Sequence, residues 1–196
     1  MKIEIRYAKL EDAARLVEIY CYYVEKTAIT FEYEVPAVEE FQQRMVHVME
    51  KYPYLVAKVD DQIVGYAYAS TFNVRVAYDW CVETSIYVDH TLRKCGVGKK
   101  LYQALEKALK AQNITNLNAC ISSPIENDEY LDTSSIDYHH HLGYQTVGEF
   151  HQCGYKFKRW YNMVWMEKFI GEHQENQLPV IRFKEIKDQV NLNEVA

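Results

Sequence analysis

Two glycines and a cluster of cations stand directly before an amphipathic run. Arg93-Lys94-Cys95-Gly96-Val97-Gly98 leads into Val97 to Lys110, where Leu101, Leu105 and Leu109 recur every fourth position. That period predicts a helix from about Val97. The β-branched and aromatic cluster from Val82 to Val88 predicts a strand ahead of it. A glycine-containing loop between strand and helix lets backbone approach a ligand, and the helix start offers unpaired N–H groups at a positive dipole end. Lys99 and Lys100 add charge. The stretch therefore reads as a cradle for an anionic, diphosphate-bearing ligand. It is not a P-loop: Arg93 stands where the first glycine belongs, and Lys100 where Ser or Thr belongs. It is not a dinucleotide fingerprint either, because Leu101 replaces the third glycine.

Acid–base candidates flank this cradle. Glu83 sits at the start of the strand, five residues before Val88, and reads equally as a proton acceptor or as a salt-bridged strand-end acid. His139-His140-His141 invites a metal reading. Consecutive helical residues point about 100° apart, whereas zinc pairs favour spacings such as i, i+4, so no metal site is expected. A histidine with a pKa near 6.5 suits proton transfer, although surface and capping histidines are common.

The composition narrows the class. A chain of 196 residues, 48% hydrophobic, suits one domain with a substantial core. Its net charge of -6 argues against general affinity for nucleic acid or anionic membranes, which makes the basic loop a local feature. Cys21, Cys81, Cys95, Cys120 and Cys153 form no CxxC pair, and the odd count suits reduced thiols in the cytoplasm. The N-terminus lacks the apolar region of a signal peptide, and no apolar run is long enough to span a bilayer.

In chain order, Lys2 to Tyr7 alternates as a strand, followed by helices from about Glu11 to Lys26 and from Val38 to Lys51. Tyr54 to Val59 and Ile63 to Phe72 form a hairpin turned at Asp60-Asp61. Asn73 to Trp80 is a loop. A short strand runs from Leu117 to Ile121, and Ser122 to Asp132 is a polar inserted loop. Thr133 or Ser134 caps a helix ending at His141. Tyr144 to Phe150 and Asn162 to Phe169 are closing strands. The pattern is α+β with a mixed sheet. Residues 171–196 form a polar tail after a domain spanning 1–170, interrupted by the apolar patch Leu178 to Phe183. The tail is either disordered or packed back.

Beyond the loop, many segments occur in one order: Thr30-Phe31-Glu32, Tyr52-Pro53-Tyr54-Leu55-Val56-Ala57, Gly65-Tyr66-Ala67-Tyr68-Ala69, Arg75-Val76-Ala77-Tyr78-Asp79-Trp80 and Glu83-Thr84-Ser85-Ile86-Tyr87-Val88. His139-x-x-Leu142-Gly143-Tyr144 and Gly154-Tyr155-Lys156-Phe157-x-x-Trp160 follow. From about Ile3 to Lys168 the chain resembles the GCN5-related N-acetyltransferase (GNAT) superfamily, in its phosphinothricin and methionine sulfoximine N-acetyltransferase branch. The resemblance implies a mostly antiparallel sheet flanked by helices and splayed at an acetyl-CoA site. Arg93, Lys94, Cys95, Gly96, Val97, Gly98 and Lys99 would hold the pyrophosphate. Backbone of Ile86, Tyr87 and Val88 would align the pantetheine, with the Val88 N–H facing the thioester oxygen.

By the same resemblance, Glu83 is the first candidate for the base and His139 the second. Phe31, Asn73, Arg75, Tyr78, Thr84 and Ser85 would line the acceptor site, with Arg75 pairing an amino-acid carboxylate. Phe31 reads equally as a plug at the core edge, and Arg75 as a structural ion pair. Asn73 departs from the Lys or Arg common in the branch, which weakens an assignment of phosphinothricin itself. The expected activity is acetyl transfer to the amine of a small amino-acid-like substrate by direct attack in a ternary complex. The phosphate-binding neighbours of Cys95 argue against an acetyl-enzyme relay. The resemblance also implies a homodimer. A polyamine, aminoglycoside or protein N-terminal acceptor, or a non-catalytic acyl-CoA sensor, are the rival readings.

Overall fold

The computed structural model describes residues 2–92 and 95–192. Seven strands form one sheet: β1 (Ile3–Tyr7), β2 (Tyr54–Val59), β3 (Gln62–Thr71), β4 (Cys81–Val88), β5 (Asn116–Ser123), β6 (Gln145–Lys156) and β7 (Arg159–Phe169). The spatial order is β1-β2-β3-β4-β5-β7-β6. Neighbours are antiparallel except the parallel pair β4–β5, so the sheet is mixed and mostly antiparallel, as the α+β reading expects. A parallel pair needs a crossover, and α3 (Val97–Ala111) supplies it.

Helix periodicity decides which face each helix covers. Val97, Leu101, Leu105, Ala108 and Leu109 form one buried stripe on α3. It packs over Leu55, Ala57, Ala67, Ala69 and Val82, where small alanines let the helix lie close to the sheet. α1 (Ala13–Lys26) and α2 (Val38–Met49) cover the opposite face through Leu16, Ile19, Phe41 and Met45, over Tyr54, Val56 and Tyr66. The two faces of β2 thus alternate into two cores. Asp60 and Asp61 turn the β2–β3 hairpin with φ of 47° and 64°, a two-residue turn matched to strand twist.

The tail packs back. Ile181 N donates to Gln112 O (3.1 Å), Gln112 Nε2 donates to Ile181 O (2.8 Å), and Phe183 N donates to Lys51 O (3.0 Å). Trp80 Nε1 donates to Leu178 O (2.6 Å). The short α5 (Phe183–Ile186) buries both its terminal side chains beside Ala108, with the Phe183 ring edge-on to Tyr7. On the other side, β6 is the sheet edge and is exposed along nearly its whole length. Trp160 is exposed on the β6–β7 hairpin, and Trp165 of β7 packs edge-on against Phe72 in a groove of ≈ 690 Å³.

Candidate acetyl-transfer site

The sheet opens between its two parallel strands. β4 pairs with β3 from Val82 to Val88, but with β5 only at Cys81, Val82 and Glu83. Beyond Glu83 the strands diverge, and the slot between them is lined by Ser85, Ile86 and Tyr87 on one side and Cys120, Ile121 and Ser122 on the other. On the β5 side, Thr84 to Val88 therefore carry backbone groups without a strand partner. Such groups must be satisfied by something other than the sheet.

The slot leads toward the start of α3. Gly96 caps that helix at φ 80°, a left-handed conformation that side chains resist. Gly98 is glycine for a different reason. A Cβ there would lie 2.5 Å from the Tyr138 hydroxyl of α4 (Ser134–His141) and 3.5 Å from Ile86 Cδ1. That hydroxyl is buried and has no hydrogen-bond partner among the described residues. Both glycines were expected to serve ligand approach; the fold gives each an internal reason as well. Cys95 and Lys99 are exposed beside them, while Val97 is buried in the α3 core. Arg93 and Lys94 lie outside the described residues.

Strand alternation separates the acid–base candidates. Glu83 and Ser85 face the α1–α2 side, where Ser70 pairs with Glu83 and Tyr68 with Ser85. Burial pushes the Glu83 carboxyl up, and among the described residues no cation or hydrogen-bond donor offsets it. Thr84 points to the α3 side. Its hydroxyl lies 3.1 Å from Asn118 O and 3.2 Å from the Tyr144 hydroxyl, so it keeps company with His139 rather than with Glu83. His139 is buried, with Nδ1 2.7 Å from Ser135 O and Nε2 2.9 Å from the Tyr102 hydroxyl. Burial lowers its pKa. Both ring nitrogens are engaged: Nδ1–H donates to Ser135, and Nε2 accepts from Tyr102. The imidazole ties α4 to α3 across the floor of the slot. His139→Phe should therefore lower the melting temperature while the acid limb of the rate–pH profile survives. Loss of that limb with an unchanged melt would restore His139 as a proton acceptor.

The remaining expected residues fall into two groups. Phe31 packs in a small cluster with Leu131 and Tyr161, and its ring lies over Gly154. Asn73, Arg75 and Tyr78 share the loop leaving β3 next to the Ser70–Glu83 pair. Asn73 Oδ1 accepts from Arg75 N (3.2 Å), the Arg75 side chain is exposed with no ion pair among the described residues, and Tyr78 lines the groove with Trp165. No group of three or more His, Cys, Asp or Glu able to hold a metal occurs among the described residues. Tyr102 and Ile29 also line the slot, and neither their types nor their spacing distinguishes them from ordinary helix and loop packing.

Residues 5–165 match the family model described as an Acetyltransferase (GNAT) domain. The chain belongs to the GNAT acetyltransferase family. This acetyltransferase is 34% identical over 168 residues to a phosphinothricin N-acetyltransferase of Streptomyces viridochromogenes, covering 85% of this chain and 88% of the relative. It is 28% identical to an L-methionine sulfoximine/L-methionine sulfone acetyltransferase of Salmonella typhimurium, covering 86% and 95%. Among solved structures it superposes on a GNAT superfamily phosphinothricin acetyltransferase from Sinorhizobium meliloti in complex with AcCoA. That match has a TM-score of 0.82 and 30% identity, and covers 93% of this chain and 99% of the other. The expected family and fold stand, splay included. Among the described residues, no helix of this acetyltransferase is long and apolar enough to cross a membrane.

Proposed function

We propose that this acetyltransferase moves the acetyl group of acetyl-CoA to the amine of a small amino-acid-like acceptor of the phosphinothricin or methionine sulfoximine type. The observation that carries the reading is the parting of β4 from β5 directly after Glu83, where a half-buried carboxylate with no ion pair among the described residues adjoins a slot lined by backbone that has no strand partner. Acetyl-CoA supplies an activated thioester carbonyl when bound. The N–H groups at the start of α3 and the cationic side chain of Lys99 would hold its pyrophosphate. Backbone of Ile86 to Val88 would align the arm, and the Val88 N–H would donate to the carbonyl oxygen as charge develops there.

Glu83 takes the amine proton, directly or through one water. An α-amine with a pKa of about 8 is only about one-tenth neutral near pH 7, so a base on the acceptor side adds directly to the reactive fraction. A carboxylate raised by burial is a better match to that proton than one in water. His139 is consumed by its two hydrogen bonds and serves as a brace. Arg75, exposed and without an ion pair among the described residues, lies on the loop that leaves β3 near Glu83 and would meet an acceptor carboxylate. The support for a homodimer is the two-sided exposure of β6 next to the groove holding Phe150 and Trp165. Five cysteines without a disulfide support a cytoplasmic setting.

The test is thiol release from acetyl-CoA across an amine panel. Phosphinothricin, methionine sulfoximine and methionine sulfone are expected to turn over, with spermidine and an aminoglycoside silent. A polyamine or aminoglycoside winner would keep the chemistry and overturn the acceptor. Silence with acetyl-CoA still bound would favour an acyl-CoA sensor.

A further inference from the structure

Residues 27–33, in the loop that leads from α1 toward α2, contribute to the wall of the slot through Ile29, which lines it together with Cys120 and Ile121. Several segments hold this loop in place. Ala28 N donates to Tyr130 O (3.0 Å), Ser122 Oγ donates to Ile29 O (3.3 Å), and Thr30 Oγ1 lies 2.8 Å from the Tyr20 hydroxyl. The end of β6 contributes most. Phe31 occupies the space over Gly154, to within 2.3 Å of where a Cβ would stand, and the Tyr33 hydroxyl donates to Tyr155 O. Next along the strand, Lys156 Nζ donates to Thr27 O (2.9 Å) and to Thr30 O (2.8 Å). Those two carbonyls bracket Ile29.

Lys156 is 2% exposed and makes no ion pair with a carboxylate among the described residues. Burial pushes its pKa down to about 8, against a raising influence from Glu32. A buried ammonium loses its hydration, whereas an apolar side chain of similar length would fill the space without that penalty. What the ammonium provides, and methionine would not, is a fixed pair of carbonyls on either side of Ile29. We propose that Lys156 is a positioning residue that fixes loop 27–33 as the wall of the slot where the acceptor amine enters, and so governs acceptor access to Glu83. The acceptor half of this inference rests on the function proposed above; the loop half does not.

The experiment pairs hydrogen exchange with kinetics on full-length Lys156→Met. Amides of residues 28–31 are expected to exchange about tenfold faster than in the parent, while those of α3 are unchanged. The KM for the amine should rise about tenfold, with kcat reduced less and the acetyl-CoA dissociation constant within about twofold. Unchanged exchange overturns the inference, and so does faster exchange with an unchanged KM. Equal loss of acetyl-CoA binding also overturns it, because the role is then global. If Lys156→Met does not fold, Lys156→Gln keeps an amide donor and is read in the same way, with smaller shifts expected. If the parent is idle on every amine, the acetyl-acceptor reading has failed separately, and the exchange of residues 28–31 decides the role of Lys156 alone.

Discussion

Glu83→Gln should lower kcat by about 10²–10⁴ while acetyl-CoA binds as before, since the amide fills the same volume but cannot accept the amine proton. Single-turnover acetyl transfer and equilibrium titration of acetyl-CoA separate the two effects. The rate–pH profile gives a second reading. Burial raises the Glu83 pKa above its ordinary value, so the parent should lose activity as pH falls through that raised value, and the Gln variant should lack the limb. Stability moves in the opposite direction. A carboxyl whose folded pKa exceeds its unfolded pKa contributes most below the unfolded value and loses that contribution as pH rises through the folded one. At neutral pH the Gln variant should therefore be at least as heat-resistant as the parent. Parental turnover in Glu83→Gln would remove Glu83 as the base.

The second large effect belongs to Gly98. A Cβ there falls 2.5 Å from the Tyr138 hydroxyl and 3.2 Å from its ring carbon, so valine must push α4 away from the first turn of α3. Overpacking of this kind costs about 1–3 kcal/mol, and if the displacement is spent on the cradle, acetyl-CoA affinity falls about tenfold to hundredfold. Gly98→Ala with Tyr138→Phe distinguishes crowding from a lost ligand contact. Removing the hydroxyl eliminates the closest clash, and binding should recover relative to Gly98→Ala alone. Tyr138→Phe by itself should not destabilise the fold, because that hydroxyl is buried without a partner among the described residues. Normal acetyl-CoA affinity in Gly98→Val would mean that the cofactor approaches elsewhere.

Periodicity carried most of the fold. The Leu101, Leu105 and Leu109 repeat, the Asp60-Asp61 hairpin and the β-branched run into Val88 each describe a local geometry, and each forms as read. The order of strands and helices through β7 follows from them. The β6–β7 hairpin was longer than the sequence suggested, reaching Lys156 and Arg159 where Phe150 and Asn162 were the expected limits. Its turn uses Phe157 and Lys158 at φ of 51° and 60°, residues that carry no turn signal, and shifts in register between Phe150 and Gly154 break the alternation. The docking of the tail was equally illegible, because its carbonyls meet the side chains of Trp80, Gln112 and Asn113, which lie between 66 and 98 residues earlier and carry no local sign of the contact. At the site, residue type identified Glu83 and the glycines. Only the sheet could separate Glu83 from His139, since nothing local shows which face of β4 a distant histidine meets. Lys156 was visible as part of a motif, but its two carbonyl partners lie more than a hundred residues away.

The placement of the three tryptophans makes the molecule an optical reporter with a blind side. Trp80 is bound to the docked tail, Trp160 stands exposed on the hairpin and Trp165 lies in the open groove, whereas the slot between β4 and β5 is lined by none of them. Indole emission therefore follows release of the tail and any change in the groove. A spectral change on adding acetyl-CoA would then signal that filling the slot is felt one strand away, at Trp165, whose cross-strand partner Cys120 lines the slot.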